Sequence, residues 1–169
     1  MPALEPITTK NVRAFKAVRL WALRDSPTAF GSTYARESQF GDIDWLKRVA
    51  NMSGEKGIGY LAMDDGLACG IVGALLDQHD SRTAQVVSMW VAPAYRRNGT
   101  GSVLIDAIQK WARARGVRTL CLMVTGCNHG AIEFYKNSGF SLTGITEPYP
   151  NDPSMIEYEM SQPVAAEEQ

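Results

Sequence analysis

Hydrophobic residues in the first third of the chain recur at helical spacing. Between Thr9 and Pro27 the spacing of three and four residues predicts an amphipathic helix capped by Thr8 or Thr9; the apolar positions are Val12, Phe15, Val18, Ala22 and Leu23. Two further helical pieces are expected over residues 28–40 and 42–53, with glycines between them. The N-terminal third is therefore predicted to be helical.

The apolar pattern changes in the middle third from helical spacing to short continuous runs. Two such runs within residues 57–77 are separated by Asp64-Asp65-Gly66, and Asp-Gly between apolar runs is typical of a β-hairpin. A polar turn over residues 77–83 leads into a third apolar run, Val86–Val91. We therefore expect three consecutive antiparallel strands.

The last third alternates between helices and strands. A helix after Gly101 ends at Gly116, a nearly continuous apolar strand follows over 117–124, and a second helix spans 128–140. Residues 141–149 and 154–161 complete the pattern as two final strands. The expected order is helices followed by β-β-β-α-β-α-β-β, in a single α/β domain over 2–162 with a short solvated tail over 163–169.

Composition restricts the class of protein. The 169 residues are 45% hydrophobic and carry a net charge near −1, which suits one globular domain and gives no general attraction to nucleic acid or membranes. Three cysteines without a CxxC pair, and two distant histidines, argue against a disulfide framework and a metal site. The N-terminus lacks an apolar signal segment, and no run approaches the roughly 20 apolar residues of a membrane span. We expect a cytoplasmic protein.

The connection between the third strand and the following helix carries candidate chemistry. It reads Arg96-Arg97-Asn98-Gly99-Thr100-Gly101. A helix N-terminus presents unpaired N–H groups, and glycines let the backbone approach a ligand, so the connection suits a phosphate or pyrophosphate. The alternative is a surface turn with solvated arginines. The sequence lacks the GK[ST] ending of a P-loop, and Leu104 stands where a dinucleotide fingerprint has its third glycine.

Two sequence blocks together resemble the GNAT superfamily of acyl-coenzyme A-dependent N-acyltransferases. The first is Met89-Trp90-Val91-Ala92-Pro93 followed by Tyr95–Gly101, and the second comprises Val124, Asn128, Ala131, Tyr135 and Gly139-Phe140. The order of elements is also similar, so the resemblance covers most of the chain. It implies a mixed, mostly antiparallel central sheet with helices on both faces. The two middle strands are expected to splay apart near Val91.

The resemblance implies a role for each matching residue, with acetyl-coenzyme A as co-substrate. Backbone groups of Trp90, Val91 and Ala92 would pair with the pantetheine arm, and Asn128 would contact the pantetheine or the acyl region. Tyr135 would protonate the departing thiolate, a role that a hydroxyl with an ordinary pKa of about 10 can fill at neutral pH. The pyrophosphate would lie on the backbone amides of Arg96, Arg97, Asn98, Gly99, Thr100, Gly101 and Ser102.

The chain departs from the family pattern at the catalytic base. Many members carry an acidic residue on the strand before the loop, whereas this chain has Val87 and Ser88, with no carboxylate between Arg82 and Arg96. Three possibilities stay open: Glu37, a water held by Ser88 and backbone carbonyls, or no dedicated base. The acidic and aromatic segments 32–45 and 147–160 are expected to flank the acceptor site.

The leading hypothesis is an N-acetyltransferase in which a primary amine attacks the thioester directly in a ternary complex. The acceptor would be a small molecule or a peptide, and the resemblance makes a homodimer possible. Three alternatives remain: a non-catalytic acyl-coenzyme A sensor, an enzyme using another acyl group, and a nucleotide-binding domain of another class. For single residues, Asn128 as a helix cap and Tyr135 as a core tyrosine are the simpler readings.

Overall fold

Seven strands form one sheet in a computed structural model of the chain, which describes residues 1–166. The strand order is β1-β2-β3-β4-β5-β7-β6, and every neighbouring pair is antiparallel except β4 and β5. The strands are β1 (Ala3–Pro6), β2 (Gly57–Asp64), β3 (Leu67–Leu76), β4 (Thr83–Val91), β5 (Thr119–Thr125), β6 (Ser141–Tyr149) and β7 (Asp152–Pro163).

Helices cover both faces of the sheet. A Cβ on Gly70 of β3 would lie 3.1 Å from Leu104, whereas a Cβ on Gly73 would lie 3.0 Å from the sulfur of Met52 on the opposite face. Within residues 1–166 no helix is both long enough and apolar enough to cross a bilayer. The helices are α1 (Val12–Asp25), α2 (Tyr34–Glu37), α3 (Asp42–Asn51), α4 (Thr100–Arg115) and α5 (His129–Asn137).

The sheet opens between its two central strands. Parallel pairing joins only Thr83–Gln85 of β4 to Thr119–Cys121 of β5, although both strands continue beyond this point. From Val86 onward β4 has no partner on its β5 side. The predicted mixed, mostly antiparallel sheet with a splay between its middle strands is confirmed, and Val91 lies at the open end of the gap.

A loop between α1 and α2 is fastened across the end of the splay. The Thr125 hydroxyl of β5 donates to the Thr28 carbonyl at 2.8 Å. The Tyr149 hydroxyl donates to the carbonyls of Pro27 and Phe30, and the side-chain amide of Asn151 donates to the Phe30 carbonyl at 3.0 Å. These bonds connect the loop to the β5, β6 and β7 half of the sheet.

Three details differ from the sequence prediction. Strand β1 was not predicted, because four residues ending in proline show too little alternation. The helix expected over 28–40 is only the single turn α2, preceded by a 3-10 turn over Pro27–Ala29. The expected tail begins inside β7, since Pro163 ends that strand and the Val164 N–H donates to the Arg118 carbonyl at 2.8 Å; residues 167–169 lie outside the described residues.

We predict that Gly57→Ala destabilises the fold, because a Cβ at Gly57 would lie 2.6 Å from the carbonyl oxygens of both Ala74 and Asn51. These are backbone atoms, so β3 or the end of α3 must move. The expected loss is about 1–3 kcal/mol in the free energy of unfolding, measured by urea denaturation. Gly31→Ala is the control, because a Cβ there meets nothing within 4 Å. Equal stability of the two variants would contradict the prediction.

Candidate active site

A cavity of about 470 Å³ lies where the sheet opens. We call it the central cavity. Its walls come from α1, the loop that precedes α2, the end of α3, and the facing strands β4, β5 and β7. Most lining residues are apolar, and the charged or catalytically interesting side chains among them are Arg19, Arg48, Ser88, Tyr135 and Glu157.

Ser88 lies at a bulge in β4, on the wall of the central cavity. Its φ is +59°, a left-handed conformation that is uncommon for a residue other than glycine. The pairing of β3 with β4 shifts register at this point, between Ile71 and Gly73. Arg19 of α1 donates through Nη1 to the Ser88 hydroxyl oxygen at 3.2 Å. The bulge therefore turns the Ser88 side chain toward α1 and the cavity.

The backbone groups expected to meet the pantetheine arm face in different directions. The Ala92 N–H donates to the Cys69 carbonyl of β3 at 2.8 Å, so it is engaged within the sheet. Because neighbouring residues of a strand alternate in direction, Val91 presents its N–H to the open side. The Trp90 side chain is buried, and its indole N–H donates to the Asp25 carboxylate at 3.1 Å. Of the three residues, Val91 alone offers its N–H to the gap.

The connection before α4 forms an anion-accepting N-terminus. Arg97 and Gly99 both have positive φ, of +62° and +92°. The Asn98 side-chain oxygen accepts bonds from the Thr100 N–H at 3.2 Å and the Thr100 hydroxyl at 2.8 Å. In the part of the chain that the structure describes, no group accepts from the Gly101 or Ser102 N–H. These amides are suited to an anion.

Arg96 differs from the sequence expectation. Its N–H donates to the Pro93 carbonyl at 3.3 Å. Its guanidinium donates to the Val91 carbonyl at 2.8 Å and pairs with the Asp25 carboxylate at 2.8 Å. The groups that were expected to face pyrophosphate are thus engaged within the protein. Arg96 connects the start of the loop to α1 through Asp25. Of the two adjacent arginines, Arg97 remains as the one that could add positive charge beside the Gly101 and Ser102 amides.

Tyr135 combines a core position with a place on the wall of the central cavity. Its ring packs edge-on against Phe134 and Phe140, with centroids 5.4 and 5.7 Å away. The residue is 9% exposed and lines the central cavity, and burial raises the pKa of its hydroxyl. No described residue hydrogen-bonds that hydroxyl. The hydroxyl is therefore protonated at neutral pH and available to a ligand.

Asn128 caps α5, the helix that carries Tyr135. Its side-chain oxygen accepts a hydrogen bond from the Ala131 N–H at 3.2 Å. The simpler sequence interpretation, a helix cap, is thereby confirmed. Contact of Asn128 with a cofactor stays a prediction.

Glu37 belongs to a buried ion-pair network. It is 1% exposed, and both of its oxygens accept from Arg19, at 3.0 and 2.9 Å. Oε1 also pairs with Nη1 of Arg48. Burial alone would raise its pKa, but the hydrogen bonds and charge of Arg19, together with the charge of Arg48, outweigh burial and lower it to about 2. Such a carboxylate is a weak proton acceptor, so the geometry disfavours Glu37 as the base.

Glu157 of β7 is a cavity residue that the sequence analysis did not single out. It lies opposite Thr125 of β5 on one side and Glu147 of β6 on the other. Partial burial and the nearby Glu147 charge raise its pKa above the ordinary 4.5. The sequence did contain one signal for Glu157, since acidic and apolar residues alternate along the strand that carries it. That signal was insufficient, because β7 had to be known to insert between β5 and β6.

Comparison with known proteins identifies the family. The profile of the acetyltransferase (GNAT) family matches residues 15–140. The chain is 28% identical over 125 residues to the [ribosomal protein bS18]-alanine N-acetyltransferase of Escherichia coli K12. The aligned residues cover 72% of this chain and 81% of that relative. Two other relatives match over shorter segments, and the chain spans 44% and 25% of their lengths.

Solved structures show the same fold. A GNAT-family acetyltransferase from Streptococcus pneumoniae superposes with a TM-score of 0.82 at 22% identity, covering 98% of this chain and 100% of that one. A phosphinothricin acetyltransferase from Sinorhizobium meliloti, solved with AcCoA, gives a TM-score of 0.79 at 16% identity over 97% and 89% of the two chains. The chain thus belongs to the acetyltransferase (GNAT) family, as the two sequence blocks predicted.

We predict that Glu37→Gln lowers stability at pH 7 by about 3–5 kcal/mol, because it leaves Arg19 and Arg48 buried without a counter-charge. Because the folded-state pKa of Glu37 is about 2 against an ordinary 4.5, its ionised form stabilises the fold fully above pH 4.5. This stabilisation is lost as the pH falls toward 2. The difference from wild type, measured by urea denaturation across pH, should shrink over that window.

The control for this change is Glu133→Gln, since the side chain of Glu133 is 69% exposed in a surface pair with Lys136. It should change stability by less than about 0.5 kcal/mol at every pH. A Glu37→Gln variant as stable as this control at pH 7 would contradict the assignment.

Proposed function

We propose that this protein transfers an acetyl group from acetyl-coenzyme A to the primary amine of an acceptor, by direct attack in a ternary complex. One observation carries the proposal: β4, whose β5 side is open, leads into the free amides at the start of α4, and Tyr135 lines the cavity at the opening of the sheet. Family membership and a fold relative solved with AcCoA support the choice of donor.

The splay supplies a path for the cofactor. The pyrophosphate would meet the amides of Gly101 and Ser102, where the helix dipole favours negative charge. The pantetheine arm would run along the free edge of β4 toward Val91, as an added strand would. The thioester would then enter the central cavity, with Asn128 near the arm. In this placement Arg97, Asn98, Gly99 and Thr100 shape the turn.

The chemistry requires one bond to form and one to break. The amine nitrogen attacks the thioester carbonyl carbon, and the carbon–sulfur bond breaks as the tetrahedral intermediate collapses. The Val91 N–H, which faces the gap, would stabilise the negative charge that develops on the carbonyl oxygen. The Tyr135 hydroxyl would give its proton to the departing thiolate and recover one from solvent.

The proton that the amine loses needs an acceptor, and we assign this role to Glu157. Its raised pKa makes it a better proton acceptor than Glu37, and it lines the same cavity as Tyr135. Ser88 accepts a hydrogen bond from Arg19, so its own O–H is free to position a water or the amine. Glu37 would have no proton-transfer role and would serve to position Arg19 and Arg48, with which it pairs.

A non-catalytic acyl-coenzyme A sensor is the second candidate. It is favoured by one observation, the absence of a carboxylate at Val87 and Ser88 of β4. Glu157 weakens that argument, because it brings a carboxylate to the cavity from another strand. A sensor would bind coenzyme A without releasing thiol in the presence of any amine.

We predict that Tyr135→Phe lowers kcat by about 10²- to 10⁴-fold, the usual contribution of a general acid. The hydroxyl makes no hydrogen bond to the described residues, so the affinity for coenzyme A and the stability should change little. Turnover is measured by thiol release and affinity by calorimetry. Tyr60→Phe on β2, outside the cavity, is the matched control. Unchanged turnover in Tyr135→Phe would exclude the acid role.

We predict that kcat/KM rises with pH through the raised pKa of Glu157, because the base must be ionised. Glu157→Gln should remove this acidic limb and lower activity. Glu147→Gln should move the limb to lower pH, since Glu147 helps to raise the pKa of Glu157. The measurement is the pH profile of kcat/KM by thiol release. A profile that both variants leave unchanged would show that Glu157 is not the base.

A further inference from the structure

The wall of the central cavity formed by α1 and α3 carries more positive than negative charge. Arg19 and Arg48 share a single carboxylate, that of Glu37. Arg19 uses Nε and Nη2 for Glu37 and directs Nη1 toward Ser88. Two guanidinium groups and one carboxylate leave one positive charge. We call Arg19, Glu37 and Arg48 the arginine triad.

The excess charge of the arginine triad is not balanced by another protein anion. Among the described residues, Glu37 is the one carboxylate that pairs with either arginine. The side chains of Arg19 and Arg48 are 7% and 27% exposed, and the aromatic rings of Phe15, Phe30 and Trp45 lie beside them. Burying a positive charge among aromatic rings costs free energy unless an anion pairs with it.

The polar groups around the triad suit a ligand anion. Arg48 keeps guanidinium N–H groups beyond the one that Glu37 accepts, and a planar guanidinium matches a carboxylate or phosphonate in two parallel bonds. Ser32 and Asn51 line the same part of the cavity and add neutral hydrogen-bonding groups. Arg48 lies on the cavity lining, so its free N–H groups can reach a bound molecule.

Negative charge lies elsewhere on the cavity wall. Glu157 comes from β7, in the half of the sheet beyond the splay, whereas Arg48 comes from α3, which packs on the first half. Tyr135 lines the same cavity from α5. The cavity thus has an anionic pole at Glu157 and a cationic pole at the arginine triad.

We propose that the acceptor is a small zwitterion, an amino acid or a close analogue, whose acid group binds Arg48 while its ammonium group lies at Glu157. The ammonium group loses one proton to solvent before attack, and Glu157 takes the second proton as the amide forms. The proposal rests on the proposed acetyl transfer and names its substrate class. A cavity of about 470 Å³ has room for an acyl group and a molecule of this size. The two poles would then orient the acceptor before attack, and such orientation lowers the barrier of the reaction.

The experiment compares the twenty common L-amino acids with their amides, and with the corresponding amines that lack the carboxyl group. Thiol release from acetyl-coenzyme A gives kcat/KM for each compound. Calorimetry in the presence of coenzyme A gives binding without chemistry. We expect at least one free amino acid to exceed its amide and its amine by about 10- to 100-fold in both measurements, the usual value of hydrogen bonds to a charged group.

Arg48→Gln should abolish this preference, and Arg48→Lys should restore part of it. The exchange to Gln leaves Arg19 and Glu37 as a balanced pair, so a urea midpoint near the wild type is also expected. Lys47→Gln is the control, because Lys47 is the exposed residue directly before Arg48 on α3. It removes the same charge and should leave the preference for free amino acids intact. If Arg48 served only to balance Glu37, Arg48→Gln would lower stability and leave the preference unchanged.

The outcomes separate this inference from the proposed function. Thiol release with amides and amines as good as with free amino acids would overturn the zwitterion and leave acetyl transfer intact. Binding of a free amino acid without any thiol release would support the cavity assignment and overturn the proposed function. No binding by any free amino acid to the coenzyme A complex would overturn the inference. A lower affinity of Arg48→Gln for coenzyme A itself would assign Arg48 to the cofactor instead.

Discussion

The early separation of β4 and β5 is the constraint on which the rest of this structure depends. After three paired residues on each strand the ladder stops, and backbone groups in the middle of a sheet face a gap. Such groups normally find a partner. In this chain the gap widens into the central cavity, and the loop before α4 lies at its end. In the proposed complex, a cofactor arm that behaves as a strand would complete the sheet and would use backbone groups of β4 that β5 leaves unpaired.

Charges buried beside this gap divide it into regions with different chemistry. The arginine triad places positive charge near Ser88, and Glu157 places negative charge on the other half of the sheet. Tyr135 also lines the cavity and stays neutral, because burial raises the pKa of its hydroxyl. Local causes set each pKa: the two arginines lower that of Glu37, burial and the Glu147 charge raise that of Glu157, and burial raises that of Tyr135. The cavity wall therefore carries a neutral hydroxyl, a carboxyl group and a pair of arginines with excess positive charge.

Local patterns in the sequence were enough to predict the strand, the turn and the helix around the proposed cofactor loop. The strand over Val86–Val91, the turn at Gly99 and the helix to Arg115 all depend on neighbours in sequence, and the structure contains them. The acceptor side depends on residues far apart in the chain. Arg19 meets Ser88 across 69 positions, and β7 inserts beside β5 against sequence order. No spacing rule predicts such pairs, and for this reason Glu157 was missed and Glu37 was considered as a base.

Helix α1 connects the two sides of the site through residues at its middle and its end. Arg19 donates to Ser88 at the bulge of β4, and Asp25 accepts from both Trp90 and Arg96 at the start of the cofactor loop. The two residues are six positions apart, about 9 Å along a helix. Because α1 is one rigid element, the position of the bulge and the position of the loop are set together. In the proposed function, this arrangement would hold the central cavity and the loop before α4 at a constant distance, as direct transfer between two bound molecules requires.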